Sequence, residues 1–215
     1  MTPRIGCIVL AAGAGRRFER GAAKRSASGH AGSRPGKLVA LLGRDPLLQR
    51  AIDAACGSSA TTCTLVLGAH AGSVLASVDA RRCSIALNDE WRAGIASSIR
   101  CGLRAHRDDD ACIVMLGDQP FVTSADLDRM MGAGSATAVV ALRAAGVWGA
   151  PVLFPRKDFA ALARLKGDRG AKRYAAAQKQ RLVFVDALDV DAFDDVDTLV
   201  DLTRLNERGT RRTRP

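Results

Sequence analysis

Three groups of residues in this chain have the types and spacing of a site for a polyphosphate and a metal ion. The first group is Gly13-Ala14-Gly15, followed by Arg16 and Arg17, and it comes directly after the apolar run Ile5–Leu10. Glycines let the backbone turn sharply and present its N–H groups, and such amides beside arginines suit phosphate oxygens. The turn predicts a phosphate site, and a plain connection after a strand is the alternative.

The second and third groups are carboxylates. Asp118 comes directly after the apolar run Cys112–Leu116, and Asp194, Asp195 and Asp197 follow the last apolar run. A carboxylate at the end of a buried strand is costly to desolvate unless it is paired or holds a cation. Mg²⁺ takes one or two carboxylates together with phosphate oxygens, so Asp118 and one aspartate of the later cluster are candidate ligands. The alternatives are a turn at Asp118 and a helix N-terminus in the later cluster.

Two further segments combine glycine with polar side chains. Gly94, Ser97 and Ser98 stand together with Asn88 and Trp91 at the start of a helical pattern, where a serine could bond a base or a phosphate. A capped helix start explains the same residues. The segment from Gly167 to Ala171, which contains Asp168, is another glycine turn before a helix and suits a second anion or a plain linker.

Several familiar site types are excluded. A dinucleotide-binding fingerprint requires a third small residue where Phe18 stands, and a phosphate-binding loop ending in Gly36-Lys37 requires Ser or Thr where Leu38 stands. The chain has no G-x-S-x-G segment, and its three histidines are widely spaced. The chemistry left is positional and electrostatic, through amides, basic side chains and a carboxylate-bound metal.

The elements that position these groups alternate between apolar runs and helical patterns. Such alternation predicts βαβ units and a mostly parallel sheet covered on both faces, with ligands bound outside the carboxyl ends of the strands. After the first run, strands are predicted at Cys63–Leu67, Ser84–Leu87, Cys112–Leu116, Ala138–Leu142, Val152–Phe154 and Leu182–Val185. Helices are predicted from Pro46 to Gly57, Gly72 to Val78, Ile95 to Ala105, Ser124 (as the cap) to Met131, Asp158 to Leu165, Gly170 to Gln178 and Thr198 to Leu205.

The composition indicates one soluble α/β domain. At 215 residues with 47% hydrophobic residues the chain can bury a large core, and we expect a domain over 1–206 with a mobile loop at 19–36 and a disordered basic tail at 207–215. No apolar run approaches the roughly 20 residues of a membrane span, so a cytoplasmic location without membrane contact is expected. The six cysteines form no C-x-x-C pair and are expected to be reduced and structural, without metal.

The formal net charge is +10, and the positive charge is unevenly distributed along the chain. Basic residues concentrate between Arg16 and Lys37, beside the glycine turn, and again in the last residues of the chain. Only 4% of the residues are aromatic, so the stacking platforms of a single-strand binder are scarce and nucleic acid is a disfavoured partner. The first basic cluster is interpreted as a funnel for an anionic substrate.

The chain resembles the MobA-like NTP transferases, the molybdenum cofactor nucleotidyltransferases. Nearly the whole chain carries the resemblance, in seven blocks that stand in the family's order: Leu10-Ala11-Ala12-Gly13-Ala14-Gly15-Arg16-Arg17-Phe18 (L-A-A-G-x-G-x-R-[MF]), Lys37-Leu38 (K-L), Asn88 to Ser98 (N-x-x-W-x-x-G-x-x-S-S), Leu116 to Pro120 (L-G-D-x-P), Gly149-x-Pro151 (G-x-P), Gly167 to Ala171 (G-D-x-G-A) and Asp195 to Asp201 (D-[IV]-D-T-x-x-D). The loop from Arg20 to Gly36 is longer than the family's usual few residues.

The resemblance implies a three-layer α/β/α fold of the nucleotide-diphospho-sugar transferase type and a role for each block. Catalytic roles would fall to Arg17, Lys37 and Asp118, with Mg²⁺ held by Asp118 and Asp197, Asp195 competing with Asp197. The nucleotide would be bound by Leu10, Ala11, Ala12, Gly13, Ala14, Gly15, Arg17, Lys37, Gly94, Ser98 and Asp118. The acceptor would be bound by Gln119, Gly149, Pro151 and Asp168.

The implied reaction is transfer of CMP from CTP to the molybdopterin cofactor with release of pyrophosphate. The Gly-Asp-Gln-Pro segment and the Asn-Trp-Ser block are most similar to the cytidylyltransferase branch of the family. GTP as the donor, or a sugar or alcohol phosphate as the acceptor, are alternatives within the same chemistry. A non-enzymatic alternative is a chaperone that binds molybdenum cofactor and hands it to an apo-molybdoenzyme.

Overall fold

The computed structural model describes residues 2–15, 18, 36–193 and 199–212, with the backbone alone at 199 and 207–212. Apolar runs form strands and amphipathic segments form helices, as the pattern predicts. The strands are β1 (Ile5–Ala11), β2 (Leu41–Leu42), β3 (Asp45–Pro46), β4 (Thr62–Leu67), β5 (Ser84–Leu87), β6 (Ala111–Leu116), β7 (Val139–Ala144), β8 (Val147–Pro155) and β9 (Leu182–Asp186). The helices are α1 (Leu47–Gly57), α2 (Ala71–Leu75), α3 (Ile95–Leu103), α4 (Ser124–Gly132), α5 (Phe159–Leu162), α6 (Ala171–Ala176) and α7 (Leu199–Arg212).

Seven of the described strands form one mixed sheet in the order β5-β4-β1-β6-β8-β7-β9. Neighbouring strands are parallel except at β8, which runs antiparallel to both β6 and β7. The α/β fold class and the mostly parallel sheet are therefore confirmed. In this order β1 and β6 are adjacent and central, so the glycine turn after β1 and Asp118 after β6 leave the sheet at the same edge.

The core lies on both faces of the sheet. Along β1, Cys7 and Val9 belong to the apolar layer under α1 and α4, while Ile8 and Leu10 belong to the layer under α3 and α6. Alternate residues of a strand point to opposite faces, so a strand covered on both sides must be apolar throughout. This arrangement explains the uninterrupted apolar run that precedes the glycine turn.

Two expectations from the sequence are corrected. The cap of α4 is Thr123 rather than Ser124: the Thr123 hydroxyl accepts from the Asp126 N–H, and the Asp126 carboxylate accepts from the Thr123 N–H at 2.9 Å. This reciprocal pair satisfies two N–H groups at the start of the helix, which a lone serine cap does not.

The segment around Gly146 is part of a hairpin rather than a separate loop. Ala145 and Gly146 adopt φ angles of 48° and 79°, which is the backbone of a tight two-residue turn, so β8 begins at Val147 and runs to Pro155, with a shift in its pairing to β7 at Ala150-Pro151. In the tail, the backbone of α7 continues to Arg212. No proline interrupts the chain there before Pro215. The expected mobile loop at 19–36 lies, apart from Gly36, outside the described residues.

A third apolar cluster lies beside the sheet and joins distant parts of the chain. Phe18, Leu42, Leu47 and Leu205 pack together, and Asn206 of α7 bonds the short β2–β3 hairpin. Among the described helices, none is both long and apolar enough to cross a bilayer.

Candidate functional site

The candidate site is a cleft of about 580 Å³ at the carboxyl ends of β1 and β6. The two strand ends are held together because the Gly117 N–H donates to the Leu10 carbonyl at 2.9 Å. A Cβ on Gly117 would lie 2.7 Å from Leu48 Cδ1 and 3.2 Å from the Leu10 carbonyl oxygen, so only glycine allows this approach. Close packing here sets the distance between the glycine turn and Asp118.

Gly15 brings the second basic motif to the first turn. Its φ of +63° lies in the left-handed region that other residues rarely adopt, and a Cβ on it would lie 3.2 Å from Lys37 Cβ. Lys37 begins a 3-10 turn that runs to Val39. Lys37 therefore lies beside the glycine turn, although the two motifs are well separated in the sequence.

Lys37 and Asp118 form an ion pair inside the cleft. Lys37 Nζ lies 2.6 Å from Asp118 Oδ2, and the side chains are 10% and 26% exposed. A nearly buried ammonium needs a counter-charge, because desolvating an unpaired cation is costly. The pair holds the ammonium and the carboxylate next to each other and beside the glycine turn.

The residues present fit a hard divalent cation. Asp118 supplies an oxygen ligand at the strand end, its side chain is partly exposed to the cleft, and the amides of the glycine turn lie beside it. Mg²⁺ and Mn²⁺ prefer oxygen ligands and are commonly held by one or two carboxylates together with substrate phosphates. Asp197, the expected partner ligand, lies outside the described residues, as does its competitor Asp195.

The Asn88 amide organises the wall of the cleft. Its Nδ2 donates to the hydroxyls of Ser97 at 2.9 Å and Ser98 at 3.0 Å, and its Oδ1 accepts from the Glu90 N–H. All three side chains of this triad are buried. Ser97 also bonds the carbonyls of Glu90 and Gly94, so Asn88 and Ser97 hold the turn, and Ser98 is the serine that reaches the cleft.

The loop from Gly167 closes the other side of the cleft. Gly94 has a φ of 94°, and a Cβ on it would overlap the Gly167 carbonyl and lie 2.7 Å from Asp168 Oδ1. The Ala96 N–H donates to the Gly167 carbonyl at 3.1 Å, which ties the loop to the start of α3. Gly94 therefore lets two segments that are far apart in sequence meet at the cleft.

Most of the expected site residues meet in this cleft. Its lining includes Leu10, Ala11, Ala12, Gly13, Ala14, Gly15, Lys37, Gly94, Ser98, Asp118 and Asp168. Arg17 lies outside the described residues. The cleft is also lined by six residues for which the sequence predicted no role: Phe18, Leu38, Trp91, Arg92, Ile95 and Leu116. The Arg92 guanidinium stacks 4.3 Å from the Trp91 ring, a contact that their adjacency could have suggested.

Three residues expected to bind the acceptor are placed elsewhere. Gln119 is 4% exposed, and its amide donates to the Ala150 carbonyl at 2.7 Å while its oxygen accepts from the Leu116 N–H. Gly149 and Pro151 are buried in β8. None of the three lines the cleft as described, and Gln119 joins the end of β6 to β8 instead. Of the expected acceptor residues, Asp168 does lie at the cleft.

Comparison with known proteins relates this chain to one family and one fold. The model of the MobA-like NTP transferase domain matches residues 7–182. A nucleotidyl transferase of Methanothermobacter is 22% identical, with a TM-score of 0.83 over 98% of this chain and 99% of the other, which shows the shared fold.

Two further relatives are closer in sequence. A Mycobacterium tuberculosis protein solved in complex with manganese is 30% identical, with a TM-score of 0.73 over 95% of this chain and 98% of the other. The nicotine blue oxidoreductase of Paenarthrobacter nicotinovorans is 28% identical over 94% of this chain and 97% of its own length.

Proposed function

The chain belongs to the MobA-like NTP transferase family, and from that premise we propose that it transfers CMP from CTP to the molybdopterin cofactor and releases pyrophosphate. The nucleotidyltransferase fold and family support the general reaction. The observation that carries the proposal is the Lys37–Asp118 pair, which lies beside the glycine turn in a cleft large enough for a nucleotide.

The triphosphate binds at the glycine turn in this proposal. The N–H groups around Gly13 to Gly15 donate hydrogen bonds to the phosphate oxygens. The Lys37 ammonium neutralises the α-phosphate, and Arg17 is a further cation. Because the Lys37 side chain is only 10% exposed, its charge acts in a poorly hydrated place, where electrostatic interactions are stronger than in water. Asp118 holds that ammonium in position before the substrate arrives.

The metal in this proposal is held by Asp118 and Asp197. The bound Mg²⁺ or Mn²⁺ would neutralise charge on the phosphates during transfer. The oxygen chemistry of Asp118 supports a hard cation, as does the manganese complex of the Mycobacterium tuberculosis relative.

The base lies in this proposal against Ala11, Ala12 and the start of α3. The Ser98 hydroxyl accepts from Asn88, which orients its proton toward a partner such as a pyrimidine oxygen. The acceptor approaches from the side of Asp168, and Trp91 with Arg92 offers an aromatic and cationic surface for a flat, anionic pterin.

The reaction needs no protein nucleophile. An oxygen of the pterin's terminal phosphate attacks the α-phosphorus in line, the bond from that phosphorus to the bridging oxygen breaks, and pyrophosphate leaves. The protein contributes position and charge, since the turn, Lys37 and Asp118 fix the α-phosphate relative to the acceptor.

The test is pyrophosphate release by the purified chain with CTP, Mg²⁺ and molybdopterin cofactor. We expect Asp118→Asn to fold but to release pyrophosphate at least about 100-fold more slowly, with a lowered melting temperature because the Lys37 ammonium loses its counter-charge. Asp79→Asn is the matched control because it makes the same change at an exposed carboxylate paired with Arg81, outside the cleft. Equal release by the Asp118 variant and the wild type would refute the assignment.

The same purified protein can be used to test the alternative functions. Substituting GTP for CTP, and sugar or alcohol phosphates for the pterin, tests the other donors and acceptors. A chaperone would bind the finished dinucleotide cofactor tightly without releasing pyrophosphate. The 28% identity to an oxidoreductase makes reduction a second candidate function, and oxidation of NADH or NADPH with a quinoid dye as electron acceptor would reveal it.

A further inference from the structure

A cluster of cysteines lies at the opposite edge of the sheet from the nucleotide cleft. Cys56 is near the end of α1, Cys63 is near the start of β4, and Cys83 immediately precedes β5. The parallel pairing of β4 with β5 places the starts of these strands side by side, and the end of α1 packs against them. This cysteine cluster is therefore held by three elements of the core fold and does not depend on the proposed function.

The three sulfurs are close enough to share one ion. Cys83 Sγ lies 3.4 Å from Cys56 Sγ and 3.5 Å from Cys63 Sγ, and all three sulfurs lie within 4.8 Å of one another. A point equidistant from such a triangle lies about 2.0 to 2.4 Å from each sulfur, and a Zn–S bond is about 2.3 Å long. A metal ion could therefore be bound with little movement of the three side chains.

The surroundings favour a soft cation over a hard one. Within the described residues, the cluster of potential metal ligands here consists of the three cysteines, without a carboxylate or histidine among them. Thiolates select copper(I) and zinc, whereas magnesium and manganese prefer oxygen. Cys63 is buried, while Cys56 and Cys83 are partly exposed, so an ion could enter from the surface side.

A positive charge and a further cysteine lie next to the cysteine cluster. The Arg82 guanidinium donates to the Cys56 carbonyl, which places a positive charge next to the thiolates that a metal would require. On the buried side, Cys7 lies opposite Cys63 in the pairing of β1 with β4.

We propose that Cys56, Cys63 and Cys83 form a binding site for a soft d10 cation, Zn²⁺ or Cu⁺. Three thiolates complete a trigonal site for Cu⁺, and Zn²⁺ takes a water as its fourth ligand on the exposed side. The bound ion would join the end of α1 to the start of two strands. This site is separate from the carboxylate site of the cleft in place and in chemistry.

The test uses the full chain, reduced and stripped of metal, in excess Mg²⁺ so that carboxylate sites are occupied. Zn²⁺ is titrated against a chromophoric zinc chelator, and Cu⁺ against a copper(I) chelator under anaerobic conditions. We expect one equivalent of Zn²⁺ or Cu⁺ bound, and at least about 100-fold weaker binding in Cys83→Ser. Cys101→Ser is the matched control, because Cys101 is also half-buried but lies outside the cluster.

A second variant and a second readout keep the test decisive. Cys56→Ser, at a half-buried helix end, repeats it if Cys83→Ser fails to fold by circular dichroism. Co²⁺ bound by thiolates gives charge-transfer absorption in the near ultraviolet, which ions bound at carboxylates do not give. Equal metal binding in the wild type and the folded cysteine variants overturns the proposal. The proposal also fails if the reduced wild type binds neither Zn²⁺ nor Cu⁺.

Discussion

Lys37 Nζ and Asp118 Oδ2, 81 residues apart in the chain, lie 2.6 Å from each other at the bottom of the cleft. Each residue belongs to a separate sequence block. The adjacency of β1 and β6 brings the blocks together, because Lys37 lies against Gly15 after β1 and Asp118 follows β6. A buried pair of this kind is costly to assemble and costly to break on one side only. That asymmetry makes the pair a sensitive place to test the site.

Replacing Lys37 by Met keeps the length of the side chain and removes its charge. We expect pyrophosphate release to fall about 100- to 1,000-fold, because the α-phosphate loses a preorganised cation. Lys179→Met makes the same change at an exposed position outside the cleft and should retain wild-type release. Steady-state kinetics with CTP measures both, and comparable rates in the two variants would contradict the role of Lys37.

Gly94→Ala should separate the start of α3 from the loop at Gly167. An alanine would be strained at a φ of 94° and a ψ of 174° by about 1 to 3 kcal/mol, and its Cβ would overlap the Gly167 carbonyl. We expect a raised KM for the nucleotide and a lower melting temperature. Gly132→Ala is the control because its Cβ enters open space at the end of α4. Identical kinetics in the two variants would show that the close approach is unimportant for binding.

Asn88→Ala should destabilise the fold as well as the site. The substitution removes the donors that Ser97 and Ser98 accept from in a buried place, and a lost buried partner costs about 1 to 3 kcal/mol. For a chain of this size each kcal/mol lowers the melting temperature by about 2 to 4 °C. Gln180→Ala, at an exposed position, should leave it unchanged. Thermal unfolding, monitored by circular dichroism, measures the melting temperatures of both variants.

Metal-free protein should react with iodoacetamide first at Cys56. Its pKa is lowered to about 6, so at pH 7 most of this thiol is already thiolate, whereas burial raises the pKa of Cys101 and keeps it protonated. The rate at Cys56 should therefore rise between about pH 5 and 7 and then level off. The rate at Cys101 should still be rising at about pH 8.5. Peptide mapping by mass spectrometry measures both, and parallel pH profiles would contradict the lowered pKa.

The strand ends and the cleft were predictable because both depend on local pattern. The apolar run before Gly13 and the one before Asp118 each identify a buried strand and the residue that follows it, and in a parallel sheet such residues meet at one edge. The contact of Gln119 was unpredictable for the opposite reason: its amide donates to the Ala150 carbonyl, a partner 31 residues away that no spacing in the sequence indicates.

The cysteine cluster illustrates the same limit. Cys56, Cys63 and Cys83 lack the short spacing of a metal motif, so the sequence indicated three separate core thiols. They meet because β4 and β5 pair in parallel with Thr64 opposite Ser84, and because α1 ends over the same edge. The register of a crossover connection is decided by packing between distant segments, which a single sequence does not display.

The contact between Asn206 and the β2–β3 hairpin has a consequence for biosynthesis. The Gly43 N–H donates to Asn206 Oδ1 at 2.6 Å across a separation of 163 residues, and Leu205 joins the cluster that includes Leu42 and Leu47. The residues of the β2–β3 hairpin, which follow Lys37, are therefore translated long before Asn206, with which the hairpin bonds. The cleft therefore acquires this support only after α7 has been translated.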